Sequence, residues 1–151
     1  MSTRLADARA LAVGVDRLVS WLRRQTPATV SSSTITALDR LRVEGPLRVS
    51  ELAVREGMTQ PGVTMLVNRL ADAGYAERVA DPTDRRAALV RVTAAGEAVL
   101  TDRQTVRAEL LRERLAELSD DDQRLLSAAL PAIERLVATG PRTTVSRKPR
   151  E

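Results

Sequence analysis

The stretch Gly57-Met58-Thr59-Gln60-Pro61-Gly62-Val63-Thr64-Met65-Leu66-Val67-Asn68-Arg69-Leu70 decides how the chain around it must fold. Its first five residues read as a helix end, a tight turn and a new helix start. Gly57 suits a left-handed helix cap, with Met58 folding back on the helix it closes. Thr59 stands where a hydroxyl can accept from the free N–H groups of a first turn. Pro61 is tolerated there because the N–H it lacks would be unpaired anyway. Val63, Leu66, Val67 and Leu70 then fall on one face at helical spacing and must pack inward. The other face presents Gln60, Thr64 and Asn68 at four-residue steps, flanked by Pro61, Met65 and Arg69.

Downstream, the period changes. After Ala73-Gly74 comes an alternating segment over residues 75–79, then Asp81-Pro82-Thr83-Asp84-Arg85-Arg86-Ala87, then a second alternating segment over residues 89–92. Alternation on both sides of an Asp-Pro turn signal predicts a hairpin. Thr93 is placed to cap a long helix over roughly residues 94–118, with Val99, Val106, Leu110, Leu111, Leu115 and Leu118 as its apolar stripe. Ser119 followed by Asp120, Asp121 and Asp122 suits the positive end of another helix. That helix runs to about Val137, and Pro131 inside it predicts a kink. Three consecutive carboxylates at a helix start point in different directions and lack calcium-loop spacing, so they are read as capping residues and no metal is expected.

Upstream, Ala8, Leu11, Ala12, Val15, Leu18, Val19 and Leu22 recur at three and four over roughly residues 5–24, and Pro27 stops the helix they define. Ser31, Ser32, Ser33 and Thr34 are candidate caps for a helix marked by Ile35, Leu38 and Leu41 and closed by Gly45-Pro46. Leu47 reads as a short bridging strand residue, and Val49, Leu52 and Ala53 mark the helix that ends at Gly57.

Composition narrows the function. The 151 residues contain no cysteine and no histidine, which removes disulfides, thiol redox sensing, imidazole or thiolate metal ligation and His-dependent catalysis. The only lysine is Lys148 and no carboxylate pair stands out, so neither an enzyme nor a cofactor is expected. Phe is absent, and Trp21 and Tyr75 are the only aromatic residues, which favours helices packed through Leu, Val, Ile and Ala. No apolar run is long enough for a membrane span, so a soluble, cytoplasmic protein is expected. The formal charge is +4, but Arg142, Arg147, Lys148 and Arg150 against Glu151 account for +3 of it. Net charge therefore says little about a polyanionic partner, and the placement of individual arginines must decide.

Helix, turn, helix, hairpin is the order of a winged helix-turn-helix. Gln, Asn, Thr and Arg on an exposed helix face suit base edges and phosphates in a major groove wide enough for a helix. Arg85 and Arg86 on the hairpin loop suit the adjacent minor groove, where negative potential attracts arginine. Asp84 is expected to brace one of them, leaving one arginine structural and the other facing DNA. Candidate DNA-binding residues are thus Thr59, Gln60, Pro61, Gly62, Thr64, Met65, Asn68, Arg69, Arg85 and Arg86. The other reading is a winged helix that binds protein partners without base readout.

Ser50-Glu51-Leu52-Ala53, Gln60-Pro61-Gly62-Val63-Thr64, Leu70, Gly74, Arg78, Asp81 to Ala87 and Leu89-Val90-Arg91-Val92-Thr93 with Gly96 together resemble the MarR family of winged-helix transcriptional regulators. The resemblance runs from about Leu11 to Val137. It implies a mainly α fold with a small β-hairpin wing and an interleaved helical dimerisation lobe. Residues 1–30 would be the N-terminal dimerisation helix, 31–93 the DNA-binding region, 94–138 the C-terminal dimerisation helices and 139–151 a disordered basic tail. It further implies a homodimer on palindromic double-stranded DNA, acting as a repressor. A small-molecule effector would sit in a crevice between the lobes, with Trp21 as the one indole able to line it.

Overall fold

Thr26, just before Pro27, closes the first helix: its N–H and its hydroxyl both donate to the Leu22 carbonyl, at 2.9 and 2.6 Å. In the computed structural model, which describes residues 2–84 and 86–138, this helix is α1 (Ser2–Gln25). It is followed by α2 (Ser32–Glu44), β1 (Leu47–Arg48), α3 (Val49–Glu56), α4 (Gln60–Asp72), β2 (Ala76–Ala80), β3 (Ala88–Val92), α5 (Ala94–Ala116) and α6 (Asp120–Ala138). Arg85 and the expected tail at 139–151 lie outside the described residues.

Of the four hydroxyl candidates before α2, Ser31 takes the cap, accepting from the Thr34 N–H at 3.2 Å. Gly57 adopts the left-handed conformation (φ 62°), and the Met58 N–H reaches back to the Ala53 carbonyl at 3.0 Å. Ionic contacts tie α3 to α2. Arg40 donates to Glu56 at 2.9 Å and to Glu44 at 2.8 Å, and Arg55 also pairs with Glu44. The Arg40 hydrogen bond holds the Glu44 carboxyl below its usual range.

Ala37, Leu38 and Leu41 of α2, Leu52 and Ala53 of α3, and Val63, Leu66, Val67 and Leu70 of α4 form one buried cluster with Leu47, Ala76, Val90 and Leu100. Burying each large aliphatic side chain stabilises the fold by about 1.5–3 kcal/mol, so the inner face of α4 fixes the direction of its outer face. The sheet is antiparallel in the order β1-β3-β2, with Leu47 opposite Val90 and the hairpin register running from Ala76–Val92 to Ala80–Ala88. Its first arm starts one residue later than the alternation suggests. The Tyr75 N–H is already taken by the Leu70 carbonyl at 2.8 Å, in the turn that ends α4.

The chain divides into two compact units, residues 1–110 and 111–151. Within the first, α1 buries Leu22 but leaves Leu11, Val13, Val15, Leu18 and Val19 exposed. The only buried residues of α5 are Gly96 and Leu100. Leu100 was absent from the expected stripe, whereas Val106 is exposed. α5 ends at Ala116, where the Glu117 and Leu118 N–H groups turn to the carbonyls three residues back. In the second unit, Ser119 caps α6 by accepting from the Asp122 N–H at 3.2 Å. The helix runs through Pro131, and none of its residues is buried; Leu125, Leu126, Leu130, Ile133, Leu136 and Val137 are all exposed. Among the described residues no helix is long and apolar enough to cross a membrane, and no His, Cys, Asp and Glu cluster could hold a metal ion.

Gly96 is the tightest point of the fold. A Cβ there would lie 2.2 Å from the Tyr75 carbonyl oxygen and 2.8 Å from Val92 Cγ2. Gly96→Ala is therefore expected to destabilise the chain by about 1–3 kcal/mol, read as a lower urea midpoint; an unchanged midpoint would mean that the turn at Tyr75 yields freely.

Candidate nucleic-acid interface

With Val63, Leu66, Val67 and Leu70 committed to the core, α4 can present only its other side. Thr59 caps the helix by accepting from the Gly62 N–H at 3.3 Å. A Cβ on Gly62 would meet the Thr59 hydroxyl oxygen at 3.1 Å, so glycine leaves room for the cap. Gln60, Pro61, Met65, Asn68 and Arg69 are exposed, and Thr64 is half-buried. The Thr64 hydroxyl donates to the Gln60 carbonyl at 2.9 Å, so its proton is used within the helix, while its oxygen can still accept. Asn68 is not isolated either: its Oδ1 accepts from Arg78 Nη2 on β2 at 3.1 Å.

The loop between β2 and β3 is organised by Asp81. This carboxylate is buried, and Oδ1 accepts from the Thr83 N–H at 2.8 Å and the Thr83 hydroxyl at 2.6 Å. Oδ2 accepts from Arg48 Nε at 2.9 Å and Nη2 at 2.5 Å. The two Thr83 bonds, followed by the Arg48 bond, hold the Asp81 carboxyl far below the usual carboxylate range. The same contact raises the Arg48 pKa. Arg48 thus ties β1 to the base of the wing across 33 positions of sequence.

Asp84 does not brace Arg86 through a guanidinium. Its Oδ1 accepts from the Arg86 backbone N–H at 3.0 Å, and its Oδ2 lies 3.7 Å from Arg48 Nη2. Asp84 therefore shapes the loop backbone, and the Arg86 side chain is exposed. Among the described residues, the arginine that pins the wing is Arg48, which sequence reasoning missed. The β1–β3 pairing brings it there, by setting Arg48 opposite Leu89, and no local pattern announces that pairing. Glu77 and Arg91 are register partners on the exposed hairpin face and form an ion pair at 2.7 Å. Exposed pairs of this kind contribute about 0–1 kcal/mol.

A cavity of about 240 Å³ is lined by Thr26 and Val30 between α1 and α2, by Tyr75 after α4, and by Val99, Asp102 and Arg103 of α5, among others. Partial burial, with the nearby Arg107 adding repulsion, lowers the Arg103 pKa. Trp21 is half-buried and is not one of the cavity's lining residues; the aromatic ring at this cavity belongs to Tyr75.

A helix with a polar outer face, set against a helix that ends in a left-handed glycine and followed by an antiparallel hairpin, defines a winged helix-turn-helix. Residues 28–87 match the family model described as MarR family. An uncharacterized HTH-type transcriptional regulator of Mycobacterium bovis is 35% identical over 140 residues, spanning 90% of this chain and 98% of that one. A transcriptional regulator of Pseudomonas aeruginosa superposes with a TM-score of 0.75 at 29% identity, covering 93% of this chain and 99% of that one. The multiple antibiotic resistance repressor MarR shares the fold, with a TM-score of 0.67 at 20% identity over 87% of this chain and 94% of that one. The chain belongs to the MarR family of DNA-binding helix-turn-helix transcriptional regulators, not to an enzyme family.

The Asp81 latch has a defined pH signature. A carboxyl whose folded pKa is depressed contributes stability that is fully present above its unfolded value, about 3.9, and lost as pH falls through the folded value. Asp81→Asn is therefore expected to lower the melting temperature by a constant margin from neutral pH down to about pH 5, with the margin shrinking in stronger acid. A margin that did not change with acid would remove the charge from the latch.

Proposed function

We propose that the chain acts as a homodimeric repressor that binds a palindromic operator in double-stranded DNA. The observation that carries this reading is the outer face of α4. Gln60, Met65, Asn68 and Arg69 stand exposed on a helix whose inner face is fully anchored. Such a face suits the major groove, with Thr59, Pro61, Gly62 and Thr64 at its start. The exposed Arg86 then suits the neighbouring minor groove. Dimerisation is supported by the uncovered apolar faces of α1 and of α6, since patches of this kind in soluble proteins mark interaction surfaces, and a twofold interface buries the same patch on both copies. Repression follows from occlusion, because a dimer spanning two half-sites excludes other proteins from the same duplex.

We assign release to a small-molecule effector in the cavity beside Tyr75, where Asp102 and Arg103 supply polar ends and Val30, Val99 and Val106 an apolar wall. Trp21 then serves packing in preference to ligand contact.

Binding of the full chain to promoter fragments is expected to fall steeply with salt, with a log–log slope near −0.9 for each phosphate contact. Arg86→Ala should cost on the order of 1–3 kcal/mol of operator affinity if it reads the groove, measured by fluorescence anisotropy. Equal affinity of wild type and variant would take the wing out of the interface. Binding with no sequence preference at physiological salt would instead favour a protein-interaction module.

A further inference from the structure

Met65 is the large apolar side chain that α4 leaves in solvent, 64% exposed. At 3.6 residues per turn it lies about 150° round the helix from the middle of the set Val63, Leu66, Val67 and Leu70, so it has no part in the core. Pro61 stands exposed one turn before it, Arg69 one turn after it, and Asn68 beside it. Gln60, Thr64, Asn68 and Arg69 can each meet a base or a phosphate through a hydrogen bond. Met65 cannot, because a thioether donates nothing and accepts weakly. What it offers is an unbranched, polarisable chain that adapts its shape to an apolar partner. Among the groups by which base pairs differ in the major groove, the apolar one is the C5-methyl of thymine; the rest are donors and acceptors.

We propose that Met65 is a specificity-determining residue that selects a thymine in each half-site by covering its C5-methyl group. This rests on the reading that the outer face of α4 enters the major groove. Taking one methyl out of water is worth a factor of roughly 3 to 5 in affinity, by analogy with a buried methylene. The signature of Met65 is therefore a methyl-dependent preference at one position and not a general loss of binding.

The test begins with selection of bound duplexes from a randomised library by the full chain. Deoxyuridine then replaces thymine in the selected duplex one position at a time, which deletes the methyl and keeps every hydrogen-bonding group of the base. Wild type is expected to bind roughly 3- to 5-fold more weakly when one particular thymine of a half-site is replaced. Met65→Ala should lose that difference at that position alone. Met65→Gln, close in length and helix propensity, should also be indifferent to the methyl. Any effect of uracil on the duplex itself is common to the three proteins and cancels in the comparison. Because Met65 is exposed, both variants are expected to melt as wild type does, and the comparison within each protein holds at whatever fraction is folded. A wild type indifferent to uracil at every thymine would overturn the proposal. So would a Met65→Ala protein that binds all duplexes more weakly with the uracil penalty intact, since Met65 would then rest on the sugar-phosphate backbone. Wild type that enriches no sequence at all would defeat the base-reading model itself, an outcome distinct from both.

Discussion

Thr93 joins three parts of the fold at one residue. Its hydroxyl donates to the Gly74 carbonyl at 2.6 Å and accepts from the Gly96 N–H at 3.2 Å, while its own N–H donates to the Tyr75 carbonyl at 3.0 Å. The turn after α4, the end of β3 and the first turn of α5 therefore share one set of hydrogen bonds. Gly96 lets α5 approach the Tyr75 carbonyl so closely that no side chain fits between them. The buried residues of α4 set which way its polar face looks, and the Thr93 junction ties that orientation to the start of α5. The start of α5 is thus joined to the end of α4 through Thr93.

Electrostatics are arranged locally rather than by total charge. Most of the formal excess belongs to the basic residues after Gly140. In the wing, carboxylates govern the geometry: Asp81 gathers Thr83 and Arg48, and Asp84 holds the Arg86 N–H. The Asp81 charge is consumed internally, and Asp84 fixes the backbone of the loop from which the exposed Arg86 side chain leaves.

Much of this was legible in the sequence because the signals are local. Gly57, Thr59, Ser119 and the spacing of Val63, Leu66, Val67 and Leu70 each act within a turn or two of helix, and the structure agrees with each. What the sequence hid depends on distant partners. Arg48 meets Asp81 only because β1 pairs with β3, and Asn68 meets Arg78 only because the hairpin folds back beside α4. Asp84 is expected to brace an arginine of the loop; among the described residues its Oδ1 accepts from the Arg86 backbone N–H and its Oδ2 faces the Arg48 guanidinium, a partner that β1 supplies from far upstream. Trp21 is half-buried on α1, while Tyr75, held in the turn after α4, is among the residues that line the cavity.

The apolar residues left uncovered on α1 and on α6 give the winged helix its proposed context, a pair of copies reading two half-sites of one duplex. Hydroxyl-radical footprinting at single-base resolution, on a genomic fragment retained by the full chain, tests that pairing most directly. The expected pattern is two protected patches related by twofold symmetry, with centres about one helical turn, roughly 34 Å, apart or a whole multiple of it. A single unsymmetrical patch, the length of one winged helix, would contradict it.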